Sequence, residues 1–216
     1  MLNLSESVEL PLEPPTFEWL HSLTDEEKYT IKENAFKSIS SCILPGFAEH
    51  GVLHKDLKTD NFLYLPNSGT IVACDFGVSY MKNSDMNPSF HGYHKYYPLQ
   101  AISNRSYYEP VCDEYFASLS LLEILLERKI YPDLSNDEIM DLKKNGIRPE
   151  IPKDISEEHP EATAWIEEIW NRMDAIEIIG VQKKIKMKFC ILIQIFPRHL
   201  NDVMTAATSS VRKYAK

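Results

Sequence analysis

Residues 61 to 77 constrain the fold more tightly than any other part of this 216-residue chain. Asn61-Phe62-Leu63-Tyr64-Leu65 and Thr70-Ile71-Val72-Ala73-Cys74 are short β-type runs, and Pro66-Asn67-Ser68-Gly69 between them has turn chemistry. Two such runs around a turn of this kind predict an antiparallel hairpin. A hairpin folds the chain back on itself, so Asn61 at its start and Asp75 just past its end become neighbours. Directly upstream lies His54-Lys55-Asp56-Leu57-Lys58-Thr59-Asp60-Asn61, and directly downstream Asp75-Phe76-Gly77. Acidic groups, a lysine and an amide are thereby set on two loops joined by one small sheet.

These residue types suit the handling of metal-bound phosphates. Asp56 is the candidate base for a hydroxyl proton. Lys58, two residues on, can meet a phosphoryl group as a point charge. Asn61 offers a hard cation a neutral oxygen and Asp75 a charged one, a sparse set that Mg2+ accepts because phosphates and waters complete its shell. Phe76 is an apolar anchor, and Gly77 lets the backbone turn. Taken singly, each has a plainer reading: Asp56 as a surface carboxylate, His54 as a satisfied core histidine, Asp-Phe-Gly as a chance tripeptide. The argument rests on the joint pattern.

That pattern, H-[RK]-D-L-K-x-x-N followed by D-F-G, resembles the catalytic and metal-binding loops of protein kinases. The resemblance implies an α+β fold: a mainly helical C-lobe with a small β-hairpin carrying the two loops. It also implies transfer of the ATP γ-phosphoryl group to serine or threonine of a protein, with ATP and Mg2+ as cofactors. Asp56 and Lys58 would be catalytic, Lys58, Asn61 and Asp75 would hold the nucleotide, and Asn61 and Asp75 would ligate the metal. Lys58 after the aspartate is the serine/threonine form of the motif. Asp113 resembles the aspartate that leads the central C-lobe helix and holds the catalytic-loop backbone. Arg148-Pro149-Glu150-Ile151-Pro152 and the tryptophans Trp165 and Trp170 are similar to late C-lobe elements. Phe90-His91-Gly92 with Tyr96 looks like the end of an activation segment. Pro98-Leu99-Gln100, in place of Ala-Pro-Glu, is similar to the casein-kinase-one group. The resemblance covers roughly residues 15 to 175.

Several family features are missing from the sequence. It has no G-x-G-x-x-G loop and no Val-Ala-Ile-Lys-like strand before the catalytic loop. The expectation is a single partial kinase domain over 1–216 that lacks its N-lobe, with 176–216 a basic tail. Lys55 replaces the usual arginine, and Tyr93 stands where the family has a threonine. Two other functions therefore stay open: a non-catalytic interaction module, and a small-molecule phosphotransferase of the aminoglycoside or choline kinase type. The second metal motif of the latter usually reads I-D-x-x. Ser79, Ser84 and Ser89 are candidate regulatory phosphosites.

A net charge of −9 argues against a nucleic-acid binder with a basic surface. The partner implied is a protein substrate or regulatory protein. From Lys183 onward the balance reverses, with Lys and Arg facing the single acid Asp202, and a solvated or frayed basic end is the plain reading. Cys42, Cys74, Cys112 and Cys190 form no C-x-x-C pair, which fits a reducing, cytoplasmic setting. Neither a signal peptide nor a spanning apolar segment is expected.

Among the helices, Thr24 with Glu27 predicts a capped start to one running to about Glu49, disturbed at its end by Pro45 and Gly46. Asp113 to Arg128 has apolar residues around nearly its whole circumference, so it should be buried. Further helices are expected over Ser135–Lys144 and near Glu161–Met173. Residues 77 to 111 read as a long irregular loop with short helical turns.

Overall fold

The computed structural model describes residues 16–81, 95–103 and 109–175. The chain divides into two compact units, Met1–Met173 and Asp174–Lys216. Nearly all of the second, including the basic tail, lies outside the described residues.

Helix α1, Phe17–His21, starts at Thr16, whose hydroxyl accepts from the Trp19 amide. Helix α2, Asp25–Ser38, starts at the expected capping box: the Thr24 hydroxyl accepts from the Glu27 amide, and the Glu27 carboxylate accepts from the Thr24 amide. The helix does not run unbroken to Glu49. A π-helical turn, Ile39–Ile43, intervenes before α3, Leu44–His50. The Leu44 N–H reaches back five residues to the Ile39 carbonyl. Pro45 gives the reason. Its ring has no N–H and clashes with an ordinary turn, and the wider turn before it relieves the clash. Gly51, at φ 64°, closes α3 in the left-handed conformation that glycine adopts without cost.

The strands are β1 (Val52–Leu53), β2 (Phe62–Leu65), β3 (Thr70–Ala73) and β4 (Tyr80–Met81). The expected hairpin is β2–β3, antiparallel, with Phe62 opposite Ala73 and Leu65 opposite Thr70. A second antiparallel pair, β1–β4, sets Val52 opposite Met81 and Leu53 opposite Tyr80. Two-residue strands leave no periodicity to read, so this pair was invisible in the sequence. The stretch 77–111, expected to be irregular, thus contains β4 and a short helix α4, Leu99–Ser103.

Helix α5, Pro110–Leu126, starts three residues before Asp113, with Pro110 in the first turn where a missing N–H costs nothing. Leu119, Leu121, Leu122, Ile124 and Leu125 are all buried, as their spread around the helix predicts. Past its end, Glu127 accepts from Lys28 at 3.1 Å and Lys32 at 2.8 Å, joining α5 to α2. Helix α6, Asn136–Lys144, has a full capping box from Ser135 and Glu138. Helix α7, Lys153–Glu158, lies in a stretch where no helix was expected. Helix α8 covers 160–175, close to the expected span. It is pinned to α5 by Trp170, whose indole N–H donates to the Ser118 hydroxyl at 3.0 Å. Among the described residues no helix is long and apolar enough to cross a membrane.

The hairpin is fixed to α2 by one buried bond, from the Ile71 amide to the Ser38 hydroxyl at 3.1 Å. Ser38→Ala leaves that N–H without its acceptor and should lower the unfolding free energy by about 1–3 kcal/mol. Glu157→Ala, which removes the exposed pair with Lys153, should cost about 1 kcal/mol or less. Urea denaturation of both variants checks the contrast.

Candidate active site

The loop after β1 runs extended, and its side chains alternate. Leu57 and Thr59 are buried, while Asp56 and Lys58 are half-exposed. The inward side rests on one stripe of α5. The Asp113 carboxylate accepts from the His54 amide at 2.7 Å and the Lys55 amide at 2.8 Å. The Ser120 hydroxyl donates to the Leu57 carbonyl at 2.6 Å. Glu123 accepts from the Thr59 hydroxyl in a short, buried contact. Positions 113, 120 and 123 recur at helical spacing, so they share one face. Two amides, a carbonyl and a hydroxyl of the loop are thus bonded to a single rigid helix.

The outward side carries the candidate chemistry. Lys58 Nζ donates to Asp56 Oδ2 at 2.9 Å. Asn61 lies in the 3₁₀ turn Thr59–Asn61, and its side-chain amide donates to the Asp56 carbonyl at 2.8 Å and to Asp56 Oδ2 at 2.9 Å. With its N–H groups turned to Asp56, Asn61 has its carbonyl oxygen left as a donor atom for a cation. The hairpin then does what its sequence implied. The Cys74 amide donates to the main-chain carbonyl of Asn61 at 2.8 Å, which places Asp75 one residue from that contact. Asp75 is exposed and takes a left-handed φ of 61°. Phe76, the expected apolar anchor, is 49% exposed, with one side of its ring against the His54 ring at 4.7 Å and Phe47 at 5.9 Å.

His54 lies beneath both loops, fully buried. Its Nδ1 accepts from the Asp56 amide at 3.3 Å, so Nε2 carries the proton and donates to the Cys74 carbonyl at 3.0 Å. One neutral ring therefore links the loop of Asp56 to the residue before Asp75. Burial lowers its pKa below the ordinary histidine value. The charges of Asp113, Asp56 and Asp75 and the Cys74 carbonyl oppose this only in part.

A family model for the protein kinase domain matches residues 3–187. The chain belongs to the protein kinase family. MAP kinase kinase PBS2 of Saccharomyces cerevisiae is 30% identical over 135 residues, 57% of this chain and 20% of that protein. A Dictyostelium discoideum protein named "Probable inactive serine/threonine-protein kinase" is 27% identical over 106 residues, 49% of this chain and 6% of its own length. RGS domain-containing serine/threonine-protein kinase A of D. discoideum is 27% identical over 161 residues, 74% of this chain and 13% of that protein. The chain thus spans a fifth or less of the length of these relatives. The casein-kinase-one likeness gains nothing from these matches, and Phe90 to Tyr93 lie outside the described residues.

Protein kinases use ATP and Mg2+, and the donor set here fits that ion. The exposed Asp75 carboxylate and the Asn61 carbonyl are hard oxygen donors. Among the described residues no cluster of three His, Cys, Asp or Glu side chains forms an all-protein cage, and Mg2+ beside phosphates needs none. The four residues nominated from the sequence therefore lie on the two loops: Asp56 in contact with both Lys58 and Asn61, and Asp75 across the hairpin. Of the candidate phosphosites, Ser79 donates to the His54 carbonyl at 3.2 Å, while Ser84 and Ser89 lie outside the described residues. Sequence reasoning missed Ser120, Glu123, Thr59 and Tyr97 as supports. The available signal was the spacing of Asp113, Ser120 and Glu123 on one face of a largely apolar helix.

The His54 shift sets a pH dependence. The folded ring binds its proton less tightly than the unfolded ring, whose pKa is about 6.5. Stability should therefore be full above about pH 7 and decline as pH falls below about 6.5. Unfolding free energies measured between pH 5 and 7.5 should fall more steeply for the wild type than for His54→Asn. Parallel slopes would show that the ring binds its proton equally well in the folded and the unfolded protein, and would overturn the lowered pKa.

Proposed function

We propose that this chain carries the catalytic half-site of a serine/threonine protein kinase, with Asp56 as base and Lys58 as phosphate contact. Asn61 and Asp75 hold Mg2+ in this reading. The observation that supports it best is the Asn61 side chain, whose amide is committed to Asp56 so that its carbonyl oxygen serves a cation. Bound Mg2+·ATP supplies the transferable γ-phosphoryl group and neutralises its developing charge. Asp56 would accept the hydroxyl proton as the substrate oxygen bonds to the γ-phosphorus and the bond from that phosphorus to the leaving ADP oxygen breaks. Lys58, bonded to Asp56, keeps a positive charge beside the reacting atoms and holds the base in one rotamer. Asn61 fixes the same carboxylate from the other side. The acceptor is a protein serine or threonine, consistent with Lys58 and with the kinases this chain resembles. The acidic balance and the free thiols Cys42, Cys74 and Cys112 support a protein partner, rather than nucleic acid, in the cytoplasm.

A second reading, a non-catalytic interaction module, is favoured by two observations. The 216 residues contain no glycine-rich loop to cover the nucleotide phosphates, and one relative's name calls it probably inactive. Two variants separate the readings. Asp75→Ala should abolish Mg2+-dependent ATP binding in calorimetry. Asp56→Asn should keep that binding and lower phosphoryl transfer at least about 10²-fold. A folded wild type that binds no Mg2+·ATP would favour the second reading. Unchanged binding and transfer in both variants would overturn the site assignment.

A further inference from the structure

Helix α6 buries two side chains, Ile139 and Lys143, one turn apart. An amphipathic helix would ordinarily place a second apolar residue at 143. A lysine there gives up much of its hydration, and burial, with Arg148 nearby, pushes its pKa down to about 7. What it gains is specific. Nζ donates to the Lys95 carbonyl at 2.8 Å and to the Tyr97 carbonyl at 2.6 Å, and it lies 5.7 Å from the centre of the Tyr115 ring. Residues 95–97 belong to neither helix nor strand, so no ladder satisfies their carbonyls.

The segment that Lys143 grips reaches the catalytic loop. Tyr97 is buried, with its ring edge-on to Phe116 at 4.7 Å, and its hydroxyl donates to the Lys55 carbonyl at 3.1 Å. That carbonyl belongs to the peptide unit joining Lys55 to Asp56. The N–H of the same unit donates to His54 Nδ1. One peptide plane, immediately before the candidate base, is thus held at both ends. It needs holding, because Lys55 takes φ 70°, a conformation that a side chain other than glycine disfavours.

We propose that Lys143 is a positioning residue for the catalytic loop: its Nζ fixes Tyr97 through two backbone carbonyls, and Tyr97 fixes the peptide that aims Asp56. The inference rests on reading residues 54–61 as that loop. It adds a support from α6, an element that the α5 stripe does not include.

The test is residue-resolved amide hydrogen exchange on the full chain without nucleotide. Lys143→Met should speed exchange at Asp56 and Leu57 about tenfold and leave α8 unchanged, while Lys143→Arg, which keeps charge and donors, should restore protection. Tyr97→Phe should produce the same local acceleration. Adding Lys143→Met to Tyr97→Phe should cause no further change at Asp56 and Leu57, because the two act in series. Acceleration confined to 95–98, acceleration spread evenly through α8, or additive effects in the double variant would each overturn the proposal. If Lys143→Met does not fold, Tyr97→Phe decides alone, and unchanged exchange at Asp56 and Leu57 overturns it. A separate calorimetric titration of the wild type with Mg2+·ATP reports on the kinase reading itself. Its failure would overturn the kinase reading and leave intact the hold of Lys143 and Tyr97 on the loop of residues 54–61.

Discussion

The site depends on one carboxylate placed where two backbone amides need it. Asp113, 2% exposed near the start of the most buried helix, accepts from consecutive N–H groups of His54 and Lys55. A loop passing through the interior must satisfy its polar backbone groups, and an ionised acceptor meets that need with stronger bonds than a neutral one. Because Lys55 is left-handed, the chain turns sharply at this point. Beyond the turn it runs extended along α5, so Leu57 and Thr59 face the helix while Asp56 and Lys58 face outward. Side-chain direction in the candidate site follows from backbone bonds made to a single rigid element.

The same helix carries a second acid farther along. Glu123 is fully buried and accepts from Thr59, from the Tyr96 hydroxyl at 2.9 and 2.8 Å, and from the Ile130 amide at 3.0 Å. Lys129 lies 3.3 Å from it and also meets Asp60 at 3.3 Å. A carboxyl group so far from water is tolerated only when its oxygens are fully engaged. Burial and the Glu123 carboxylate raise the Tyr96 pKa well above the phenol range, so its hydroxyl remains a donor. With Phe116 receiving the rings of Tyr96 and Tyr97 between the two acids, α5 presents a face of alternating polar and aromatic contacts. The loop of Asp56 and the segment of Tyr97 both lie on it.

How much of this was legible beforehand follows from the range of each interaction. The hairpin, the capping boxes at Thr24 and Ser135 and the buried helix depend on residues close in sequence, and each left a local pattern. Asp56, Lys58, Asn61 and Asp75 were legible because their chemistry is concentrated in two short blocks with a hairpin between. The β1–β4 pair was not, since two-residue strands have no period and their partners lie 27 to 29 residues apart. The π turn required knowing how the helix would accommodate Pro45 rather than that it would be disturbed there. In the sequence Lys143 is one of two adjacent lysines at a helix end, and its packing against residues 95–97 distinguishes it from Lys144. The aspartate at 113 was marked by resemblance, whereas Ser120 and Glu123 needed the physical question of why polar groups interrupt an apolar helix.

The central claim is that the α5-supported loop and the hairpin bring Asn61 and Asp75 together as one cation site. Paramagnetic line broadening by Mn2+ in the presence of ATP tests it most directly, read at backbone amides of the folded protein. The account predicts that the amides of Asn61 and Asp75 broaden together, at a single metal concentration, with those of α8 unaffected. Broadening of one without the other, or of neither while the protein stays folded, would contradict it.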